Sequence, residues 1–360
     1  MKICIVVGTR PEIIKASPLI RECQKQRLDF FILHTGQHYS DNMDKIFFEE
    51  LKLPAPKYNL QIGSRSHGEQ TGIMLEKIEK ILIEEKPSIL LAIGDTNSVL
   101  AGTLAATKMH IKVGHVESGL RSYDRNMPEE QNRTVVDHLS DLLFAPTQNA
   151  AKILKGEGIP DEKIFVVGNT IVDAVLQNKK IADGSVDVFS KLGVGKRKYV
   201  LATSHRSENV DDSICLSKII VGLEKVQKYA KLPIIFPIHP RTKKQLGEFN
   251  ITIGGDIRII EPVGYLEFLQ LLSHAELVIT DSGGIQEETS ILKTPCVTIR
   301  DNTERPETLE IKSNKLAGVE PEKILACAIE MLNSDRNWET PYGDGRSAEK
   351  IVEILKEKLD

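Results

Sequence analysis

The 360-residue sequence predicts an α/β protein made of two doubly wound domains. The length exceeds one ordinary core and suits two domains of about 150–200 residues each. Short β-branched runs are apolar throughout rather than alternating, which means burial on both faces, as in a parallel sheet covered by helices. These runs alternate with helical patterns, so that a βα repeat fills each half of the chain.

Taken in order, the predicted strands of the first half are "KICIVV", "FFILHT", "ILLAIG", "IKVGHV", "LLFAPT" and "IFVVGN". Those of the second half are "YVLATSH", "PIIFPIH", "IRIIEP", "ELVITD" and "PCVTIR". Between Lys179 and Lys198 glycines and charge break the periodicity, which puts the domain boundary just before, near Thr170 to Lys180. The expected division is residues 1–172 and 173–344, with the amphipathic helix 345–360 returning to the first domain.

Composition narrows the function. Lys+Arg 47 against Asp+Glu 51 gives a net charge of -4, so no global field favours nucleic acid or an anionic membrane. No stretch approaches the ~18 apolar residues of a membrane span, and the N-terminal run is too short for a signal sequence. The expectation is a cytoplasmic protein. Its five cysteines are scattered without a C-x-x-C pair, which argues against a structural disulfide or zinc site.

In open α/β sheets ligands bind beyond the carboxyl ends of the strands, so polar residues that follow strands are the candidates. The first set is "GTRPEIIK", where Gly8 permits a tight turn, Pro11 suits a helix start, and Arg10 with Lys15 invites an anion. In "GDTNS", Asp95 serves either as the N-cap of the next helix or as a working carboxylate. Glu117 follows "KVGHV" with no obvious capping role. If the strands before Asp95 and Glu117 are neighbours, the two acids emerge side by side and push their pKa values apart. A third acid, Glu129 in "PEEQNR", is explained equally by a helix start with an i,i+4 pair to Arg133. Arg121, Arg125 and Arg133 gathered around the same acids favour a site.

The second half offers His205 and Arg206 in "SHRSEN", after a strand, where the histidine serves either as a hydrogen-bonded structural group or as a phosphate ligand and proton donor. His239 in "PIHPRT" reads as structural. In "VITDSGGIQEETS" a strand leads through Ser282, Gly283 and Gly284 into a helix, whose open N–H groups make a phosphate cradle. The motif carries no dinucleotide fingerprint and no Walker lysine. Glu288 lies one turn further on, within reach of a ribose, and Arg305 in "ERPE" returns to the site. Together these residues predict a nucleotide-sugar enzyme with acids on one domain, a diphosphate cradle on the other, and a cleft between them.

The motifs "GTRPEIIK", "GDTNS", "GHVESGLRS", "PEEQNR", "SHRSEN", "DSGGIQEE" and "ERPE", in this order, resemble the non-hydrolysing UDP-N-acetylglucosamine 2-epimerases from residue 5 to about 310. The resemblance implies two Rossmann-like domains in a GT-B arrangement, a homodimer, a UDP-sugar substrate, and no metal or nicotinamide cofactor. It implies Asp95, Glu117, Glu129 and His205 as catalytic groups, with Arg10 and Lys15 in the cleft and Arg133 supporting the acids. His205, Arg206, Arg305, Ser282, Gly283 and Gly284 would hold the diphosphate, Glu288 the ribose, and Phe268 the uracil. The loop before "PEE" is two residues shorter than in many bacterial members. That form resembles archaeal members, and also relatives that act on 2,3-diacetamido uronates or 6-deoxy-talosamine derivatives. Gln37 and His38 in "TGQHYSDN" only partly suggest the allosteric site of some bacterial members.

Three other readings share parts of this inventory. A GT-B glycosyltransferase would need an acceptor, a sensor would bind UDP without exchanging solvent hydrogen, and a hydrolysing epimerase would release the free sugar.

Overall fold

The computed structural model describes residues 1–37 and 41–359, and divides into two compact units: Met1–Ala174 with Tyr342–Asp360, and Val175–Pro341. In the first unit the chain runs β1 (Lys2–Val7), α1 (Arg10–Lys25), β2 (Asp29–His34), α2 (Asp41–Glu50), β3 (Tyr58–Asn59), α3 (His67–Glu85), β4 (Ile89–Ile93) and α4 (Asn97–Lys108). It continues with β5 (Lys112–Val116), α5 (Pro128–Leu139), β6 (Leu142–Ala145), α6 (Gln148–Gly156), β7 (Ile164–Val166) and α7 (Thr170–Ser185), which carries the chain into the second unit. The strands form a parallel sheet in the order β3-β2-β1-β4-β5-β6-β7. Ile3 to Val7 and Ile89 to Ile93 are wholly inaccessible, as continuous apolar strands predict.

The second unit follows with α8 (Val188–Leu192), β8 (Val200–Thr203), α9 (Ser207–Val210), α10 (Ser213–Ala230), β9 (Ile234–Pro237), α11 (Pro240–Glu248), β10 (Ile257–Ile260) and α12 (Tyr265–His274). Then come β11 (Leu277–Thr280), α13 (Gly283–Leu292), β12 (Cys296–Thr298), α14 (Pro306–Glu310), β13 (Asn314–Leu316) and α15 (Pro321–Leu332). Its parallel sheet has the order β10-β9-β8-β11-β12-β13. The last helix, Ser347–Leu359, belongs to the first unit, where the Asp173 carboxylate accepts the N–H groups of Ser347 and Ala348 at 3.2 and 3.0 Å and so caps its start.

All eleven predicted strands are present, and the structure adds β3 and β13, of two and three residues. The segment after Lys179 is less irregular than its composition suggests. Helix α7 runs through Gly184 to Ser185, and α8 forms behind an N-cap in which Asp187 accepts the Ser190 N–H. No helix among the described residues is long and apolar enough to cross a membrane.

The two sheet orders position the chemistry. In the first, the connections leave β1 and β4 in opposite directions; in the second, β8 and β11 diverge in the same way. Each unit thus has a crevice at the carboxyl end of its strands, where the order reverses.

Candidate active site

In the first unit the turn after β1 lies against the start of α4. A Cβ on Gly8 would fall 2.0 Å from Ser98 Oγ and 2.5 Å from Thr35 Oγ1, so only glycine fits there. Glu12 fixes the turn: its Oε2 accepts the N–H groups of Gly8 and Thr9 at 2.6 and 2.8 Å, and its Oε1 accepts the Thr96 hydroxyl. Burial pushes this carboxyl up to about 7 against the pull of those three donors. Arg10 is left exposed at the first helical position.

Asp95 is not the N-cap of α4. Thr96 takes that role, its side chain accepting the Ser98 N–H, and this frees the Asp95 carboxylate for Arg133. Nε and Nη2 of Arg133 donate to Asp95 Oδ2 at 2.9 and 2.6 Å, while Nη1 donates to Glu130 Oε2 at 3.0 Å. The expected pair between Arg133 and Glu129 is therefore absent, and the i,i+3 neighbour has replaced it. Glu130 also accepts the backbone N–H groups of Ser122 and Tyr123 at 2.8 and 2.9 Å, anchoring the loop before α5. Burial opposes its charge, yet these donors hold its pKa below the ordinary value. The half-buried Glu129 side chain has no hydrogen bond or ion pair among the described residues.

Glu117 follows β5. Because Ile93 pairs with Val116, Gly94 and Asp95 leave the sheet beside Glu117. Its φ of 72° lies in the left-handed region that non-glycine residues seldom adopt. Its buried carboxylate is clasped from two sides, by Lys15 Nζ at 2.5 Å on Oε2 and Asn169 Nδ2 at 2.9 Å on Oε1. Arg121 does not serve these acids: it meets Asp137 at 2.7 Å and Glu157 at 2.6 Å, and Arg125 is exposed.

The crevice of the second unit is organised by Asp281, at the end of β11. Its Oδ2 accepts the Ser204 hydroxyl and the N–H groups of His205 and Arg206 at 2.9, 2.9 and 3.0 Å. Its Oδ1 lies 3.1 Å from His205 Nδ1. Burial alone would raise this carboxyl, but His205 and the backbone donors bring it down to about 2. Asp281 thereby orients the half-exposed imidazole of His205 through Nδ1. His239, as expected, is structural: its Nδ1 caps α11 by accepting the Arg241 N–H at 3.2 Å.

Ser282 is the N-cap residue of α13, followed by Gly283 and Gly284. Neither glycine has a positive φ. A Cβ on Gly284 would meet nothing within 4 Å, and one on Gly283 only Glu304 Oε2 at 3.6 Å. Protein packing therefore does not demand these glycines, whereas close approach of a ligand to the helix N-terminus would. Arg305 Nε pairs with Glu287 at 2.6 Å, and Arg206 lies 3.7 Å from Glu304. Glu288 accepts a hydrogen bond from the Tyr265 hydroxyl at 3.3 Å, and burial raises its pKa to about 8. Phe268 is half-buried and packs against the core cluster that includes Tyr199, Leu271 and Leu272.

The crevice of the first unit thus brings together Lys15, Asp95, Glu117 and Arg133, and that of the second unit His205, Arg206 and the Ser282–Gly284 turn. Sequence reasoning passed over Glu12, Glu130, Asn169, His115, Asp137 and Asp281 as the groups that hold them. Asp281, a strand-end acid, was open to the rule that found Asp95. Gln37 docks on α4 by accepting the Ser98 N–H and hydroxyl at 3.3 and 2.8 Å, while His38 lies outside the described residues.

Comparison with known proteins gives concordant findings. A family model described as UDP-N-acetylglucosamine 2-epimerase matches residues 21–356. A Methanococcus maripaludis protein named UDP-N-acetylglucosamine 2-epimerase is 58% identical over 98% of this chain and 98% of its own. A Methanocaldococcus jannaschii protein of the same name is 58% identical over 99% of both chains. The crystal structure of the M. jannaschii UDP-GlcNAc 2-epimerase in complex with UDP-GlcNAc and UDP matches with a TM-score of 0.87 at 57% identity, over 99% of this chain and 100% of that one.

Proposed function

The chain belongs to the UDP-N-acetylglucosamine 2-epimerase family, and from that premise we propose that it interconverts UDP-N-acetylglucosamine and UDP-N-acetylmannosamine by eliminating UDP and adding it back. The observation that carries this reading is the pairing of Asp95 and Glu117, leaving adjacent strands side by side, each held by a cation.

The chemistry calls for such a set. The C2 hydrogen of a 2-acetamido sugar has no neighbouring carbonyl to acidify it, so loss of UDP must lead. The C1–O bond breaks and its electron pair leaves with the β-phosphate. The C2 proton passes to a carboxylate, and a C1=C2 bond forms, giving 2-acetamidoglucal and UDP. Protonation of the opposite face of C2, with return of the diphosphate to C1, completes the inversion. Two faces need two acid–base groups, drawn from Asp95, Glu117 and Glu129.

In this reading Arg10 and Lys15 place positive charge beside the acids. The second unit holds UDP: His205, Arg206, Arg305 and the N–H groups of the Ser282–Gly284 turn stabilise the departing diphosphate. Glu288 takes the ribose and Phe268 lines the uracil pocket. We place the enzyme in the cytoplasm as a homodimer. Its five unpaired thiols fit a reducing compartment, and light scattering after size exclusion reads its mass.

Incubation with UDP-N-acetylglucosamine in D2O tests the reaction. The expected result is UDP-N-acetylmannosamine carrying deuterium at C2, without added cofactor or acceptor. Epimerised product with no solvent label would exclude the proton-transfer route.

A further inference from the structure

Behind the acids lies a buried pair that the proposed chemistry leaves unused. His115, on β5, and Asp137, on α5, are both fully buried. The Nδ1 of His115 lies 2.6 Å from Asp137 Oδ1, and its Nε2 lies 2.8 Å from the carbonyl oxygen of Gly94. A carbonyl oxygen only accepts, so Nε2 carries a hydrogen; an ionised Asp137 likewise needs a hydrogen on Nδ1. Both ring nitrogens thus donate, and the ring is an imidazolium.

Charge balances around it. Asp137 Oδ2 meets Arg121 at 2.7 Å, and Arg121 continues to Glu157 at 2.6 Å, so two cations and two anions form one chain. Burial works against the charge on His115, but Asp137 and the Gly94 carbonyl outweigh it and its pKa lies above the ordinary value. For Asp137 the direction is downward, with burial again outweighed, here by His115 and Arg121. Both shifts favour the ionised pair.

The placement of these bonds is what gives them a function. Asp137 holds the chain two residues before Glu117, through His115, and two residues after it, by accepting the Gly119 N–H at 3.1 Å. Between these two braces lies the left-handed backbone of Glu117, a conformation that persists only where its surroundings over-determine it. Gly119 has no slack either: at φ 80° its missing Cβ would sit 2.4 Å from the Ala150 carbonyl oxygen. Through Nε2 the same imidazolium holds Gly94, the residue before Asp95. Asp137 itself lies on α5, the helix that has Glu129 in its first turn and carries Arg133.

We infer that His115 is a positioning residue which, braced by Asp137, sets the mutual placement of the segments bearing Asp95, Glu117 and Glu129. It touches no substrate. The inference rests on the proposed function, in which those three acids act on C2.

Two variants divide the ring's work. An Asn amide reaches the position of Nδ1 and a Gln amide that of Nε2, so His115→Asn keeps the bond to Asp137 and releases Gly94, whereas His115→Gln keeps Gly94. Misplacement of reacting groups by about 1 Å can cost about 10²-fold. His115→Asn is expected to lower kcat by about 10- to 100-fold with KM and UDP affinity within about twofold, at a temperature where circular dichroism shows it folded. His115→Gln, which loses the Asp137 brace beside Glu117, is expected to lose kcat by a comparable factor. A folded His115→Asn or His115→Gln enzyme with wild-type kcat would overturn the inference. Should His115→Asn not fold, His115→Gln and NMR of 15N-histidine-labelled wild type still decide. A buried histidine with hydrogens on both ring nitrogens at pH 7.5 supports the brace, and a single neutral tautomer contradicts it. Wild-type enzyme that fails to epimerise in the same assay would defeat the proposed function instead.

Discussion

On α5, two consecutive carboxylates meet different surroundings. Glu130 receives two backbone N–H groups, the Ser122 hydroxyl and the Arg133 guanidinium, whereas its neighbour Glu129 has no such partner among the described residues. An amide in place of Glu130 would face the Arg133 cation and two backbone donors with one oxygen fewer to accept them. Loss of one partner of a buried charge-assisted bond costs about 1–3 kcal/mol. Glu130→Gln is therefore expected to lose stability of that order in urea denaturation. Glu129→Gln should denature like the wild type and bind UDP normally, but lose about 10²–10⁴-fold in kcat, the usual contribution of a positioned acid or base. Near-normal turnover in folded Glu129→Gln would return this residue to an ordinary helix start.

Glycines at the start of elements divide by what constrains them. At Gly8 a methyl group would overlap Ser98 Oγ and Thr35 Oγ1, so Gly8→Ala must push the β1–α1 turn away from α4, at a typical cost of about 1–3 kcal/mol. Gly284 stands inside the first turn of α13 with open space where a Cβ would be. Gly284→Ala should leave thermal stability unchanged or slightly raised and weaken UDP binding in calorimetry; unchanged affinity would show that no ligand approaches this turn. The same contrast explains what was legible beforehand. Runs such as "ILLAI" read as strands because they are short and apolar throughout, as a sheet covered on both faces requires. Tyr58–Asn59 and Asn314–Leu316 are too short to carry a pattern, and the sheet edge alone makes them strands. The role of Asp95 stayed open between cap and working carboxylate because Asp95 and Thr96 both have cap chemistry. What separates them is Arg133, 38 residues along the chain, which claims the aspartate. The rule of inspecting strand ends found Asp95, Glu117, His205 and the Ser282–Gly284 turn. It had no means of finding Asn169, which reaches Glu117 across 52 residues, or Glu12, which meets Thr96 across 84.

Across the whole molecule, stability as a function of pH sums groups from both units. Burial raises Glu12 in the first unit to about 7 and Glu288 in the second to about 8. In the unfolded chain both titrate near the ordinary 4.5, so between that pH and the folded pKa the native protein binds more protons than the unfolded one. Stability then falls as pH rises, by at most about 1.4 kcal/mol per pH unit for each group. His115 acts in the same direction, since its raised pKa favours the native state until the imidazolium is lost. His239 and His274, whose pKa values burial lowers, oppose this below about 6.5. Asp281, at about 2, has the opposite sign to Glu12 and Glu288: its contribution is complete above 3.8 and disappears as pH falls towards 2. The melting temperature of the ligand-free protein is thus expected to decline from pH 5 to pH 8. Glu288→Gln removes one contributor and leaves the others, so comparison of the two proteins at each pH isolates it. The two curves should therefore diverge steadily up to about pH 8; since the window of Glu12 closes near 7, between pH 7 and 8 the variant falls only by what His115 contributes while wild type falls more steeply. Parallel melting curves across that interval would mean that Glu288 is ionised in the folded protein despite its burial, its charge held by donors such as the Tyr265 hydroxyl.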